Sequence, residues 1–161
     1  MRRPHLSSRI APICLSAVLA LAGAIVVAND VRAGGSNKTV VRDPVSNIEP
    51  GCDIRRATSK LTDDRRLRHT ITLQEATGDL SVHRVSIYGG RSGGADLSLF
   101  DGADGVDAHF ANQGKSVVFT IKRWRVTQAV DSQRRYFWVA RSCMNPSDRA
   151  PNSGHRARQS L

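Results

Sequence analysis

The sequence predicts an all-β domain, a single antiparallel β-sandwich of seven to nine strands set behind an N-terminal signal helix. Three observations lead there. From Cys52 onward the apolar residues recur with a period of two, which places alternate side chains on opposite faces of a strand. Gly, Asp and Asn interrupt these runs about every ten residues, the spacing of short strands joined by turns. No stretch beyond the leader repeats its apolar residues at the helical interval.

The elements follow in order. Arg2, Arg3 and Arg9 make a basic start, residues 10–28 are almost wholly apolar, and Val31-Arg32-Ala33 supplies the small, spaced residues a signal peptidase accepts. Residues 1–33 are therefore expected to be a signal peptide, with cleavage after Ala28 or retention as an anchor as the alternatives. The apolar run approaches the roughly 20 residues that span a bilayer, but Pro12 and the cleavage site favour removal. Cys14 lies inside the apolar run, too early to carry a lipid. Residues 34–51, rich in Gly, Ser, Asn and Pro with one apolar island at Thr39-Val40-Val41, are expected to form a flexible arm. The sandwich is assigned to residues 52–145, and 146–161, with Pro146, Pro151 and Gly154, to a disordered basic tail.

Within the sandwich the clearest strand is 65–74, with Leu67, His69, Ile71 and Leu73 on one face and Arg66, Arg68, Thr70, Thr72 and Gln74 on the other. Residues 52–61 precede it across the Asp63-Asp64 turn as the first arm of a hairpin. Strands are also expected at 82–88, 95–100, 106–111 and 116–124, the last with Val117, Phe119 and Ile121 on one side. Residues 125–130 read as its continuation or a further strand, and 135–143 as the last.

The chain of 161 residues carries 24 Lys+Arg against 14 Asp+Glu, a net charge of +10. It stays strongly basic once Arg2, Arg3, Arg9, Arg32 and Asp30 leave with the leader. Such a domain is drawn to anionic partners. Only Lys38, Lys60, Lys115 and Lys122 are lysines, however, and a GC-rich coding bias produces arginine without any function. With Cys14 gone, Cys52 and Cys143 remain as an even pair in a chain bound for an oxidising compartment. Joining them closes a loop of about 90 residues, which chain entropy values at roughly 4.6 kcal/mol as an upper figure, and ties the first strand of the domain to the last. With no CxxC and no His beside either cysteine, zinc is the weaker reading.

Four constellations carry candidate chemistry. Gly90-Arg91-Ser92-Gly93-Gly94 has the spelling of a nucleophile elbow, but that motif works on a strand-turn-helix, and a strand is expected after it. Asp101, Asp104 and Asp107 place carboxylates in a glycine-containing loop, a weak calcium candidate whose spacing of three does not fit an EF-hand and equally suits tight turns. Trp124, Tyr136 and Trp138 would form a glycan platform if they shared an outward face, although strand aromatics more often fill the core. Arg55, Arg56, Arg66 and Arg68 gather on the first hairpin, where Arg66 and Arg68 project from one face and offer forked donors to phosphate or carboxylate. His69, His83, His109 and His155 stand alone in the sequence.

The segments Cys52-Asp53-Ile54-Arg55-Arg56-Ala57 and Arg66-Leu67-Arg68-His69-Thr70-Ile71, the acidic turn from Asp101 to Asp107 and Asp148-Arg149-Ala150-Pro151-Asn152 together resemble small exported β-sandwich domains of high-GC Gram-positive bacteria. These are similar in layout to jelly-roll carbohydrate-binding and DOMON-like modules. The resemblance implies a jelly-roll-like sandwich and an exported location, and it carries over no functional residue.

The expectation is a secreted or cell-wall-associated, monomeric, non-enzymatic binding module without cofactor, whose partner is an anionic envelope polymer or a glycan rather than a specific nucleic acid or a membrane. A small exported hydrolase using Ser92 or the Asp101 to Asp107 loop is the first alternative. A partner or inhibitor of another exported protein is the second. The fold reading requires Cys52 and Cys143 to lie with Cα atoms within about 7 Å of each other. It also requires Leu67, Ile71, Leu73, Val117, Phe119 and Ile121 to be buried together.

Overall fold

The structure is a computed structural model and describes residues 37–44, 48–91, 93–132, 134–144, 146–152 and 155–161. Residues 1–33, expected to be a signal peptide, and Ser92 lie outside the described residues.

Ten strands and one short helix run in the order β1 (Lys38–Arg42), β2 (Ile54–Leu61), β3 (Arg66–Leu73), β4 (His83–Tyr88), β5 (Leu97–Leu99), β6 (Val106–Ala111), β7 (Ser116–Lys122), α1 (Arg123–Ala129), β8 (Arg135–Ser142), β9 (Asp148–Ala150) and β10 (Ala157–Ser160). They form two antiparallel sheets. Sheet A has the order β1-β2-β3-β7-β6, and sheet B has β10-β8-β4-β5 with β9 paired to β8. The chain is thus the all-β sandwich expected, with ten strands among the described residues in place of seven to nine.

The period of two sets the packing. In sheet A, Val41, Ala57, Ile71 and Val117 are aligned across four strands, and Ser59, His69 and Phe119 form the next row. Sheet B answers with Val85, Ile87, Leu99, Tyr136, Trp138 and Ala140, and all of these are buried in one core. Leu67, Ile71, Leu73, Val117, Phe119 and Ile121 are buried there together, as the alternation required. Full burial of a side chain of this size contributes about 1.5–3 kcal/mol.

Cys52 and Cys143 are joined, with Cα atoms 5.6 Å apart. The bridge ties the residues before β2 to those after β8, one from each sheet. It does not join the first strand to the last, because a strand precedes it and two follow.

Both termini correct the sequence reading. The supposed arm contains β1, which pairs with β2 from Lys38↔Lys60 to Arg42↔Arg56 and buries Thr39 and Val41. The supposed tail contains β9 and β10, laid end to end along β8 through Ala140↔Ala150 and Ala157↔Trp138. Without them β8 would present an unpaired edge, which sandwiches avoid. Four further contacts hold the C-terminal segment. Thr39 Oγ1 donates to the Arg158 carbonyl at 2.7 Å, Arg156 lies 3.7 Å from the centre of the Tyr88 ring, and its guanidinium donates to the carbonyls of Gly90 and Gly93. Each strand is short and buries polar residues such as Thr39, Asp148 and Gln159 beside apolar ones, so composition does not reveal it.

The third correction is α1, where a strand was expected. It spans seven residues and buries Val126 and Thr127. Fewer than two full helical turns leave no period to detect.

A polar chain crosses the core. The Tyr136 hydroxyl on β8 lies 2.6 Å from Ser59 Oγ on β2 and 3.0 Å from His69 Nε2 on β3. The His69 ring meets Trp138 edge-on at 5.3 Å. Replacing Tyr136 by Phe leaves two buried polar groups short of a partner, which costs about 1–3 kcal/mol. Urea unfolding of Tyr136→Phe should fall by that amount, and adding Ser59→Ala should recover part of it; an unchanged midpoint would remove the network from the account of stability.

Candidate functional site

The outer face of sheet A collects cations from four strands. The register aligns Lys38, Lys60 and Arg68 across β1, β2 and β3, aligns Arg42 with Arg56, and sets Arg66 opposite Lys122. All seven are exposed. They face outward because their sequence neighbours Val41, Ala57, Ser59, Leu67 and Ile121 fill the core. Neighbouring strands lie about 4.8 Å apart and alternate residues about 7 Å apart along a strand, so the cations form a grid at those spacings. Between them stand neutral Val40, Thr58, Thr70, Thr72, Val118 and Thr120. Acidity is confined to the margins: Asp64 pairs with Arg66 at 3.2 Å, and Asp107 sits on edge strand β6 beside His109 at 3.6 Å.

Arg56, Arg66 and Arg68 therefore share the face the sequence suggested. Arg55 does not take a place in the grid. A register shift between Ile54 and Arg56 leaves it half-buried, with its charge acting on buried Asp43.

The glycan platform needs correction. Tyr136 and Trp138 point inward and are 0% exposed, whereas Trp124 is 55% exposed on α1. The alternation along β8 carries the two large rings into the core, where they bury far more apolar area than an outward face would allow. Trp124 instead stands between two depressions. One, of about 320 Å³, is lined by Arg65, Arg123, Trp124 and Thr127. The other, of about 310 Å³, is lined by Leu97, Trp124, Arg125, Gln128 and Ala129. The Arg123 amide donates to the Arg65 carbonyl at 3.1 Å, which anchors the start of α1 at the end of the β3 row of cations. Arg125 lies 5.4 Å from the Trp124 ring and is held by Asp104 at 2.8 Å.

That ion pair engages one of the three loop aspartates, and Asp101, Asp104 and Asp107 are all exposed. Among the described residues no group of three His, Cys, Asp or Glu side chains is arranged to hold a metal ion. The carboxylates that do converge are ones sequence reasoning missed. Asp43, Asp53 and Asp148 are buried beside the disulfide. Asp148 Oδ2 accepts from the Ile54 amide at 2.6 Å and Oδ1 from the Arg149 amide at 2.8 Å, while Asp43 Oδ1 accepts from Asn152 Nδ2 at 2.9 Å. Burial, then the charge of Asp148, pushes Asp43 up to about 7, and burial raises Asp148 as well. Their positions, 43, 53 and 148, are too far apart along the chain to signal a cluster.

Histidine burial acts in the opposite sense. His69 is pushed down to about 3 by burial, and burial lowers His83, whose Nδ1 lies 3.0 Å from Ser142 Oγ.

No family model, curated protein or solved structure matches the chain.

The buried acids and histidines make a testable pair of slopes. Asp43 has a folded pKa above its ordinary 3.8, so its contribution is fully present below 3.8 and is lost as pH rises toward 7. His69 has a folded pKa below its ordinary 6.5, so its contribution is present above 6.5 and is lost as pH falls toward 3. The two oppose each other between about pH 4 and 6.5. The unfolding midpoint of Asp43→Asn should therefore drop on acidification through that window more steeply than wild type, and that of His69→Gln should drop less or rise. Parallel profiles for all three proteins would contradict the assignment.

Proposed function

We propose that this domain is an exported, non-enzymatic binding module that holds an anionic envelope polymer against the outer face of sheet A. The observation that carries the reading is the in-register grid of Lys38, Lys60, Arg68, Arg42, Arg56, Arg66 and Lys122, interleaved with neutral residues. Like charges placed directly opposite one another weaken a sheet. A bound polyanion turns that repulsion into attraction, and guanidinium forks bind phosphate or carboxylate with two hydrogen bonds each.

The disulfide is compatible with an extracellular location. It supports the reading of residues 1–33 as an export signal, which would deliver the domain to the envelope polymers. At the end of the grid, exposed Trp124 and its two flanking depressions suit a sugar ring of the same polymer, stacked on the indole with Arg65 and Arg123 beside it.

Binding by such a face must weaken as salt rises, because the Debye length falls from roughly 10 Å at 0.1 M to 3 Å at 1 M. In co-sedimentation with isolated cell wall, the wild-type domain should be retained at 0.1 M salt and released at 1 M. An Arg66→Glu, Arg68→Glu variant should be released at both. Trp124→Ala should weaken retention on a sugar-containing polymer several-fold while leaving binding to inorganic polyphosphate unchanged. Equal retention of wild type and the double variant, or retention indifferent to salt, would sink the proposal and leave these arginines as a solvated strand face.

A further inference from the structure

Sheet B carries a second alignment of cations, on the opposite side of the sandwich. Arg84 on β4 is in register with Arg141 on β8, and Arg141 is in register with Arg149 on β9. Three arginines thus stand side by side across adjacent strands, within about 10 Å from first to last. They face outward because their neighbours His83, Val85, Ala140, Ser142, Asp148 and Ala150 are buried.

No acidic side chain among the described residues is paired with this row. Among the described residues none of the three arginines takes part in an ion pair. Asp148, next to Arg149 in sequence, turns inward and spends both oxygens on the Ile54 and Arg149 amides. Asp79 is occupied by the amide and hydroxyl of Ser81. Arg149 donates from Nη2 to the His155 carbonyl at 3.2 Å, but its Nε is buried without a hydrogen-bond partner among the described residues. A depression of about 170 Å³ opens beside the row, lined by Arg84, Arg141, Cys143, Met144 and Ser147. Two arginines and a serine thus line a space with ample room for one tetrahedral oxyanion.

We infer that Arg84 and Arg141, backed by Arg149 and with Ser147 at the rim, form an oxyanion site that takes a phosphate group. Guanidinium planes match tetrahedral oxyanions through paired N–H donors, and three aligned cations gain most from a ligand carrying two negative charges. The site lies on the face away from the sheet A grid and stands independently of the function proposed for it.

The test uses the disulfide-bonded domain and inorganic phosphate, with sodium chloride at equal ionic strength as the control. Phosphate should shift the side-chain Nε–Hε NMR signals of Arg84 and Arg141 together and saturably, and should raise the unfolding midpoint beyond the chloride control. Arg141→Gln should unfold in chloride at or above the wild-type midpoint, because a repulsion has been removed, and should lose the phosphate response. Arg84→Gln should behave alike, and the sheet A variant Arg66→Glu, Arg68→Glu should keep the full response. A phosphate effect no larger than that of chloride would overturn the inference. So would a response that survives in both single variants, or a fall in their chloride midpoints that marks the arginines as structural.

Discussion

The hydroxyl of Tyr136 sits where the two sheets must agree. It lies within hydrogen-bond distance of Ser59 and His69, one strand apart in sheet A, while its own strand is the spine of sheet B. A slip of one residue in β8 would turn Tyr136, Trp138 and Ala140 outward and bring Phe137, Val139 and Arg141 into the core. It would also leave Ser59 and His69 buried without their shared partner. The outward position of every arginine on sheet B therefore follows from what the inward residues satisfy, and a dispersive apolar core alone would resist the slip less sharply because apolar contact has little directionality.

A second dependence lies at the edge where the chain ends meet. The disulfide joins residues flanking β2 and β8, and around it Asp43 meets Asn152 while Asp148 caps the Ile54 amide. These contacts link residues near one end of the domain to residues more than ninety positions later. They let three-residue β9 and four-residue β10 hold to the edge of β8, although strands of that length bury little area on their own. The cost is an Asp43 carboxyl pushed up to about 7 and an Asp148 carboxyl also raised by burial, set against His69 and His83, which burial lowers. Their titrations pull in opposite directions, so the fold tolerates a range of acidity that either set alone would narrow.

Net charge is distributed by the same alternation. Cations emerge on the two outer faces in rows because each occupies the register position next to a core residue. On sheet A the rows are broad and interrupted by Thr and Val, which suits an extended polymer. On sheet B the row is narrow, close to a depression and unrelieved by acid, which suits a single compact anion.

Much of this was legible in the residues themselves. Alternation along 65–74 is a local property, since a strand with one wet face must repeat every two residues, and it correctly indicated Leu67 and Ile71 as core and Arg66 and Arg68 as surface; Phe119 and Ile121 are core as expected, on a strand buried on both faces. The even cysteine pair foretold the bridge. What the sequence left open depends on partners far along the chain. Whether KTVVR and ARQS are strands is decided by the free edges of β2 and β8, because a short strand has no stability until another backbone satisfies its amides. Whether Trp124 or Trp138 reaches solvent is decided by a seven-residue helix and by the direction in which β8 faces. The grouping of Asp43 with Asp148, and of Arg84 with Arg141 and Arg149, exists only across strand registers. Local periodicity determines which side of a strand a residue takes; only the pairing of strands determines which residues stand beside it.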